Sequence, residues 1–295
     1  MASLLAQVNR KMSLVANRRV HAALEGEHSS VFKGRSMDFD DLRVYVPNDD
    51  IKDIDWKATA RTGQILIKRY IAIRKNNILL VVDSGRSMAA TAPSGESKRD
   101  IAVLTAGVIA SVSQEHGDLV GLMAGDSQRA YYLPSKENRA HIERMLQYVN
   151  SSLTLDAPES SLAALLDYIR RTIKHKMTLI IISDALQFAE AQEHLLRRLQ
   201  AQHEILFIGI DDLDPNDKQW NHRDVYDVDK SVNLPKYVRG QQQVETAFQE
   251  YLKQQYQKTH SLLERLQISN VRIGSEAKVV SQIVRLLEEH KHVRH

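Results

Sequence analysis

From residue 78 onwards the chain alternates two kinds of segment, and that rhythm restricts the fold more than any other feature. The stretches ILLVV (78–82), DLVGLMA (118–124), MTLIIIS (177–183) and EILFIGI (204–210) are apolar with little internal alternation. A strand can be apolar on both faces only where both faces are covered, as in a parallel sheet between two helical layers. Helical patterns lie between them at 98–114, 138–149, 160–173 and 189–201, with a short extra strand near 129–133. A strand NVRIG (270–274) and a helix over 276–290 close the chain. The predicted fold class is α/β: a doubly wound, mostly parallel sheet flanked by helices.

The first part of the chain reads differently. A helix is predicted over 3–22, loop over 23–40, one short strand within 41–63 and a longer alternating strand at 65–76. This divides the chain into an N-terminal extension, 1–74, which packs on or beside an α/β domain, 75–295. The segment 211–240 is irregular, and in it Asp211 and Asp212 are expected to cap or to face solvent. A polar helix over 240–267 would bury Val244, Phe248, Leu252, Tyr256, Leu262, Leu263 and Leu266. His290, His292 and His295 read as a frayed terminus.

Charge and missing motifs exclude several functions. Lys plus Arg number 40 against 37 for Asp plus Glu, so no strong field draws the chain to nucleic acid, and a nucleic-acid-binding module is the least favoured reading. There is no cysteine, which suits a reducing compartment. MASLLAQVNRKMSLVANRRV lacks the apolar core of a signal peptide, and no apolar run approaches the ~18 residues of a membrane span. A cytoplasmic location and no transmembrane segment are expected. P-loop, GxGxxG, GxSxG and HExxH patterns are all absent.

Two strands end on acids. Asp83 follows ILLVV and Asp184 ends IIISD, and in a doubly wound sheet sites form beyond the carboxyl ends of strands. If the two strands are adjacent, both carboxylates meet near Ser87, and oxygen ligands of this kind suit a hard cation such as Mg2+. The run Asp83-Ser84-Gly85-Arg86-Ser87 resembles the metal-ion-dependent adhesion motif of von Willebrand factor type A domains, Asp-x-Ser-x-Ser, with Gly85 in place of the middle serine. The resemblance implies metal ligands at Asp83, Ser87 and Asp184. For the family's later threonine, Ser160 is the first choice and Thr154 the reserve.

A second resemblance covers more of the chain. FDDLRVYVPNDDIKDIDWKATARTG, starting at Phe39, retains Leu42, Arg43, Tyr45, Pro47, Asp49, Asp50, Ile54, Asp55, Trp56, Ala60 and Arg61 of the signature of the bacterial domain of unknown function 58 family. Asn48, Lys52 and Thr59 replace the family's glycine, arginine and serine. The resemblance runs from about residue 20 to at least 215, and implies a protein-interaction module without enzymatic activity. It further implies a partner that is a MoxR-type AAA+ ATPase or another von Willebrand A protein, with Mg2+ in the crevice assisting docking. Arg43, Trp56, Arg61 and Arg86 are the partner-binding candidates. The favoured local reading is that Arg43 and Arg61 neutralise Asp49, Asp50 and Asp55 while Trp56 and Tyr45 pack against the sheet. The runner-up function is a divalent-metal hydrolase acting on phosphate through Asp83 and Asp184. No lysine is expected near the crevice to neutralise such a substrate, which counts against it.

Overall fold

The computed structural model describes residues 3–15, 37–47, 49–72, 75–185, 192–220, 224–229, 232–234 and 242–293. The N-terminal part holds helix α1 (Leu4–Val15), strand β1 (Met37–Val44), helix α2 (Trp56–Thr62) and strand β2 (Leu66–Ala72). Strand β3 (Asn77–Asp83), helix α3 (Lys98–Glu115) and strands β4 (Leu119–Gly125) and β5 (Ala130–Lys136) follow. Next come helices α4 (Arg139–Ser152) and α5 (Leu162–Thr172), strand β6 (Thr178–Asp184), helix α6 (Glu193–Gln200) and strand β7 (Glu204–Ile210). A short hairpin of β8 (Val225–Asp227) and β9 (Val232–Leu234) leads to helix α7 (Gln242–Arg265), strand β10 (Ser269–Ile273) and helix α8 (Val279–Val293).

Six strands form the main sheet in the order β10-β7-β6-β3-β4-β5, and only β5 runs antiparallel to its neighbour. Counted from β3 as the first, that is the order 3-2-1-4-5-6, with its reversal between β3 and β6. The uniform apolar runs are explained by burial on both faces. Ile78, Leu80 and Val82 face α1, α3, α4 and α8, while Leu79 and Val81 face α5, α6 and α7. Each apolar side chain so buried stabilises by about 1.5–3 kcal/mol.

Helix α1 belongs to this core. Leu5 and Val8 are buried against α3, and a Cβ on Gly107 would lie 2.5 Å from Val8, so the glycine permits the close approach. The first turn of α1 has no acid of its own. Glu143 of α4 supplies one, accepting from the Ser3 hydroxyl and the Leu4 and Leu5 amides at 2.7–3.0 Å.

Several sequence expectations change. Residues 37–40, read as loop, begin β1, which pairs with β2 in a separate antiparallel ladder. A short helix over 56–62 was not foreseen. Asp55 caps it by accepting from the Lys57 and Ala58 amides, both at 3.0 Å, and Gly63 ends it with φ +72°. On α7 only Thr259, Leu262 and Leu263 are buried, with Leu266 just beyond. The N-terminal half of this helix carries no buried residue: Val244 is exposed and Phe248 and Leu252 are half-buried. His290 is not frayed: it is buried, with Nδ1 3.0 Å from the Ser269 hydroxyl and Nε2 against Glu204. The remaining two histidines of that group lack a described side chain or lie outside the described residues.

Candidate functional site

Strands β3 and β6 are parallel neighbours, so Asp83 and Asp184 emerge at the same end of the sheet, at its reversal point. Both are buried, as are Ser84 and Ser87. Asp83 is held from several sides: Oδ1 accepts from the Gly85 amide and Oδ2 from the Ser183 hydroxyl, both at 2.9 Å. Burial pushes its carboxyl up, against the pull of these donors and of the Ser160 hydroxyl. Ser160 lies 2.7 Å from Ser87, hydroxyl to hydroxyl. Either hydroxyl can donate in that pair. Thr154 sits elsewhere, exposed in the turn after α4, where its carbonyl accepts from the Ala157 amide.

Gly85 has a steric explanation. Its φ of −70° is open to any residue. A Cβ there, however, would lie 2.2 Å from Ser160 Oγ and 2.4 Å from the Ser160 N and Cα. The loop carrying Ser160 is drawn onto the motif by the Arg86 amide, which donates to the Pro158 carbonyl at 2.9 Å. An ion pair from Arg86 to Glu159 at 2.8 Å adds to it. Ser160 thus occupies the space that the middle serine of the Asp-x-Ser-x-Ser pattern would need.

The residue that sequence reasoning missed is Lys98. No lysine was expected near the crevice, yet the side chain of Lys98 is fully buried there, at 0% exposure. Its Nζ donates to Asp184 Oδ2 and, at 2.6 Å, to Asp212 Oδ1. Burial opposes the ammonium charge, but the two carboxylates outweigh it and raise its pKa. Partial burial and the nearby Asp184 push the Asp212 carboxyl up from its ordinary value while Lys98 pulls it down, and 42% of its side chain stays open to solvent. Asp212 therefore neither caps nor merely faces solvent. Its neighbour Asp211 pairs with Arg272 at 2.7 Å. A local signal for Lys98 existed: a lysine in the first position of α3 opposes the helix dipole, where acids are favoured. What it meets lies 86 and 114 residues further along the chain, beyond the reach of spacing.

The donor set does not fit a divalent cation. Asp83 has both oxygens engaged, Ser87 and Ser160 bond one another, and Asp184 holds Lys98. A dication sharing Asp184 with the ammonium, ~4–5 Å away, would be repelled by on the order of 7 kcal/mol at an effective dielectric constant of ~20. Among the described residues, no group of three or more His, Cys, Asp or Glu side chains is placed to hold a metal. Nor does Lys98 favour phosphate chemistry, since it is buried and already bonded to two carboxyl groups.

The described residues of 211–229 contribute to this end of the sheet. The Leu213 amide donates to Thr91 and Gln219 reaches the Pro93 carbonyl, both at 3.0 Å. Trp220 covers Gly95, whose φ is +87°. Asp229, in the β8–β9 turn, lies 3.7 Å from the Arg86 guanidinium. Arg86 is thus bound to Glu159 and Asp229 at the rim.

The other partner-binding candidates are on the β1–β2 unit. Arg43 forms a two-pronged pair with Asp49, which also accepts from the Val46 amide at 2.9 Å. Asp50 and Asp55 cap helical turns instead of pairing with arginine. Arg61 is exposed and pairs with none of these acids among the described residues. Trp56 does not pack against the sheet: it is 64% exposed, and Ile51 beside it 66%. Val44, Val46 and Ile65 are exposed as well.

The strand order and the antiparallel edge strand make this a doubly wound α/β domain with acids and hydroxyls at the sheet's reversal point. The sequence profile described as "Protein of unknown function DUF58" matches residues 41–258, and the chain belongs to that family. An uncharacterized protein of Mycobacterium tuberculosis (strain H37Rv) is 30% identical over 214 residues, 72% of this chain; the match spans 66% of that relative's length. An uncharacterized protein of Bacillus subtilis (strain 168) is 26% identical over 108 residues, 37% of this chain and 25% of its own length. Similar solved structures include an aerotolerance-related membrane protein from Bacteroides fragilis (TM-score 0.47, 11% identity, 72% of this chain and 99% of that one). A von Willebrand factor type A protein from Catenulispora acidiphila has a TM-score of 0.43 at 11% identity, over 77% of this chain and 45% of that one. Among the described residues, no helix is long and apolar enough to cross a membrane.

Proposed function

We propose that this protein is a non-enzymatic interaction module whose partner docks on the β1–β2 unit. The observation that carries this reading is the exposure of Val44, Val46, Ile51, Trp56 and Ile65, all within or beside the family signature between residues 44 and 65. Apolar side chains gathered in this way mark interaction surfaces more often than chance exposure does. Tryptophan and arginine are the residue types that dominate binding energy, and Trp56, Arg43 and Arg61 all lie on this unit. The signature's acids support the surface from behind: Asp49, Asp50 and Asp55 hold the turns that present it.

The family resemblance points to a MoxR-type AAA+ ATPase as the partner, or to another von Willebrand A protein. The test is a binding titration of the purified MoxR-type ATPase from the same host against the wild-type chain, Trp56→Ala and Ile51→Ala. A central tryptophan contributes about 2 kcal/mol or more, so Trp56→Ala should weaken binding by about thirtyfold. Equal affinity for wild type and Trp56→Ala, or no binding to either, would remove this reading.

A further inference from the structure

We propose that Lys98 is a built-in counter-ion standing in for the divalent cation of a von Willebrand A-type crevice, so that this chain closes the crevice without a metal. Three observations carry it. The ammonium is wholly buried and touches the carboxylate that would otherwise hold the metal, Asp184. A further acid, Asp212, is brought to the same nitrogen at 2.6 Å, so the ammonium is held by two carboxyl groups of the chain itself. The hydroxyls that would complete a coordination shell, Ser87 and Ser160, are 2.7 Å apart and joined to each other.

The backbone places Lys98 for this role. Its amide donates to the Ala90 carbonyl at 2.9 Å, and the Thr91–Ser97 bridge folds the preceding loop back over the motif. The side chain runs to the carboxyl ends of β6 and β7, where Asp184 and Asp212 stand. A tethered ammonium differs from a metal in one functional respect: it has no open coordination position, and being buried it cannot accept a partner's carboxylate. The ion position of this crevice is therefore filled by the chain's own ammonium, with Asp212 on its solvent side.

The experiment is a Mn2+ titration of the full chain by calorimetry, with thermal unfolding in Mn2+ and in EDTA, for wild type, Lys98→Ala and Lys98→Ala/Asp184→Asn. Wild type should show no stoichiometric uptake at ~1 mM Mn2+, weaker than ordinary protein sites for hard dications, and the same melting temperature in EDTA. Lys98→Ala, freed of the repelling charge, should bind one Mn2+ at least about tenfold more tightly than wild type. Its melting temperature should rise by about 5 °C at a Mn2+ concentration near a hundredfold its Kd. The double variant should lose both effects. One Mn2+ bound to wild type at ~0.1 mM or below, with melting lowered by EDTA, would overturn the proposal. So would a folded Lys98→Ala that binds Mn2+ no better than wild type. If Lys98→Ala does not fold, the wild-type titration alone decides. Neither result depends on which protein docks at Trp56, so this proposal and the docking surface stand or fall separately.

Discussion

Placing a side chain at position 85, which restores the hydroxyl of the Asp-x-Ser-x-Ser pattern, should damage this protein. The new Cβ would start 2.2 Å from Ser160 Oγ and 2.4 Å from the Ser160 N and Cα. Two of these three atoms are backbone, so no rotamer change relieves the contact, and the 158–160 loop must retreat by ~1 Å to reach ordinary van der Waals separation. That retreat breaks the Arg86–Pro158 amide bond and the Ser87–Ser160 hydroxyl bond. Two such bonds are worth about 1 kcal/mol each, and forced overpacking adds about 1–3 kcal/mol. Loss of glycine's freedom in the unfolded chain returns about 0.5–1 kcal/mol, since φ is −70° and suits any residue. The net is a loss of about 2–4 kcal/mol. For a 295-residue chain the unfolding entropy is about 0.6 kcal/mol per kelvin, so the midpoint should fall by about 3–7 °C.

The assay is thermal unfolding of Gly85→Ser and Gly85→Ala side by side, with and without Mg2+. Because the clash lies at Cβ, alanine should be as harmful as serine, and Mg2+ should restore neither. A Ser160→Gly background should recover only part of the loss, because the backbone contacts remain. The reasoning is refuted if Gly85→Ser melts at or above wild type. It is equally refuted if serine is clearly better tolerated than alanine, since the hydroxyl would then have found a role.

The remaining predictions concern other parts of the molecule. Trp56→Ala, which weakens docking, should leave thermal stability within about 0.5 kcal/mol of wild type, because the side chain is mostly exposed; a large drop in the melting temperature would show that Trp56 supports the fold instead. Burial pushes the Asp118 carboxyl up to about 6 despite hydrogen bonds from Asn76. Its folded pKa lies above the unfolded value, so its stabilising contribution is complete below about pH 4 and is lost as pH rises through about 6, at most about 3 kcal/mol in all. Asp118→Asn should therefore gain on wild type between pH 4 and pH 7 in denaturant titrations, and a constant difference across that range would count against this account. His290→Ala should cost about 1.5–3 kcal/mol by leaving Glu204 and Ser269 without their buried partner; a change below about 0.5 kcal/mol would mean the contact is not formed in solution.

Much of the sheet was legible because its signals are local. EILFIGI is a strand at 204–210 in both readings, and each of the other central strands begins and ends within about one residue of its apolar run. VYDV reads as a short strand and covers β8, but its partner strand Val232–Leu234 and the helix at 56–62 were obscured for the opposite reason. They are short, carry little apolar periodicity, and are held by capping acids whose role shows only once the turns exist. The long α7 was found from its pattern, and Leu262, Leu263 and Leu266 are buried as expected, but Val244 is exposed and Phe248, Leu252 and Tyr256 are only half-buried. Periodicity says which residues share a face, and not whether anything packs against that face.

The sequence by itself determined that a doubly wound sheet would form, that Asp83 and Asp184 would stand at strand ends, and that the chain carries the family signature. These follow from runs of neighbouring residues and from the period of their burial. Only the tertiary structure decided what the two carboxylates meet. Whether a metal or a lysine balances Asp184 depends on how the 90–97 loop aims the start of α3, and on Asp212 arriving from β7. Whether position 85 can hold a serine depends on a loop that approaches from beyond α4. Both are matters of packing between segments far apart in the chain, and charge and volume at such a junction are settled only when all of its parts are in place.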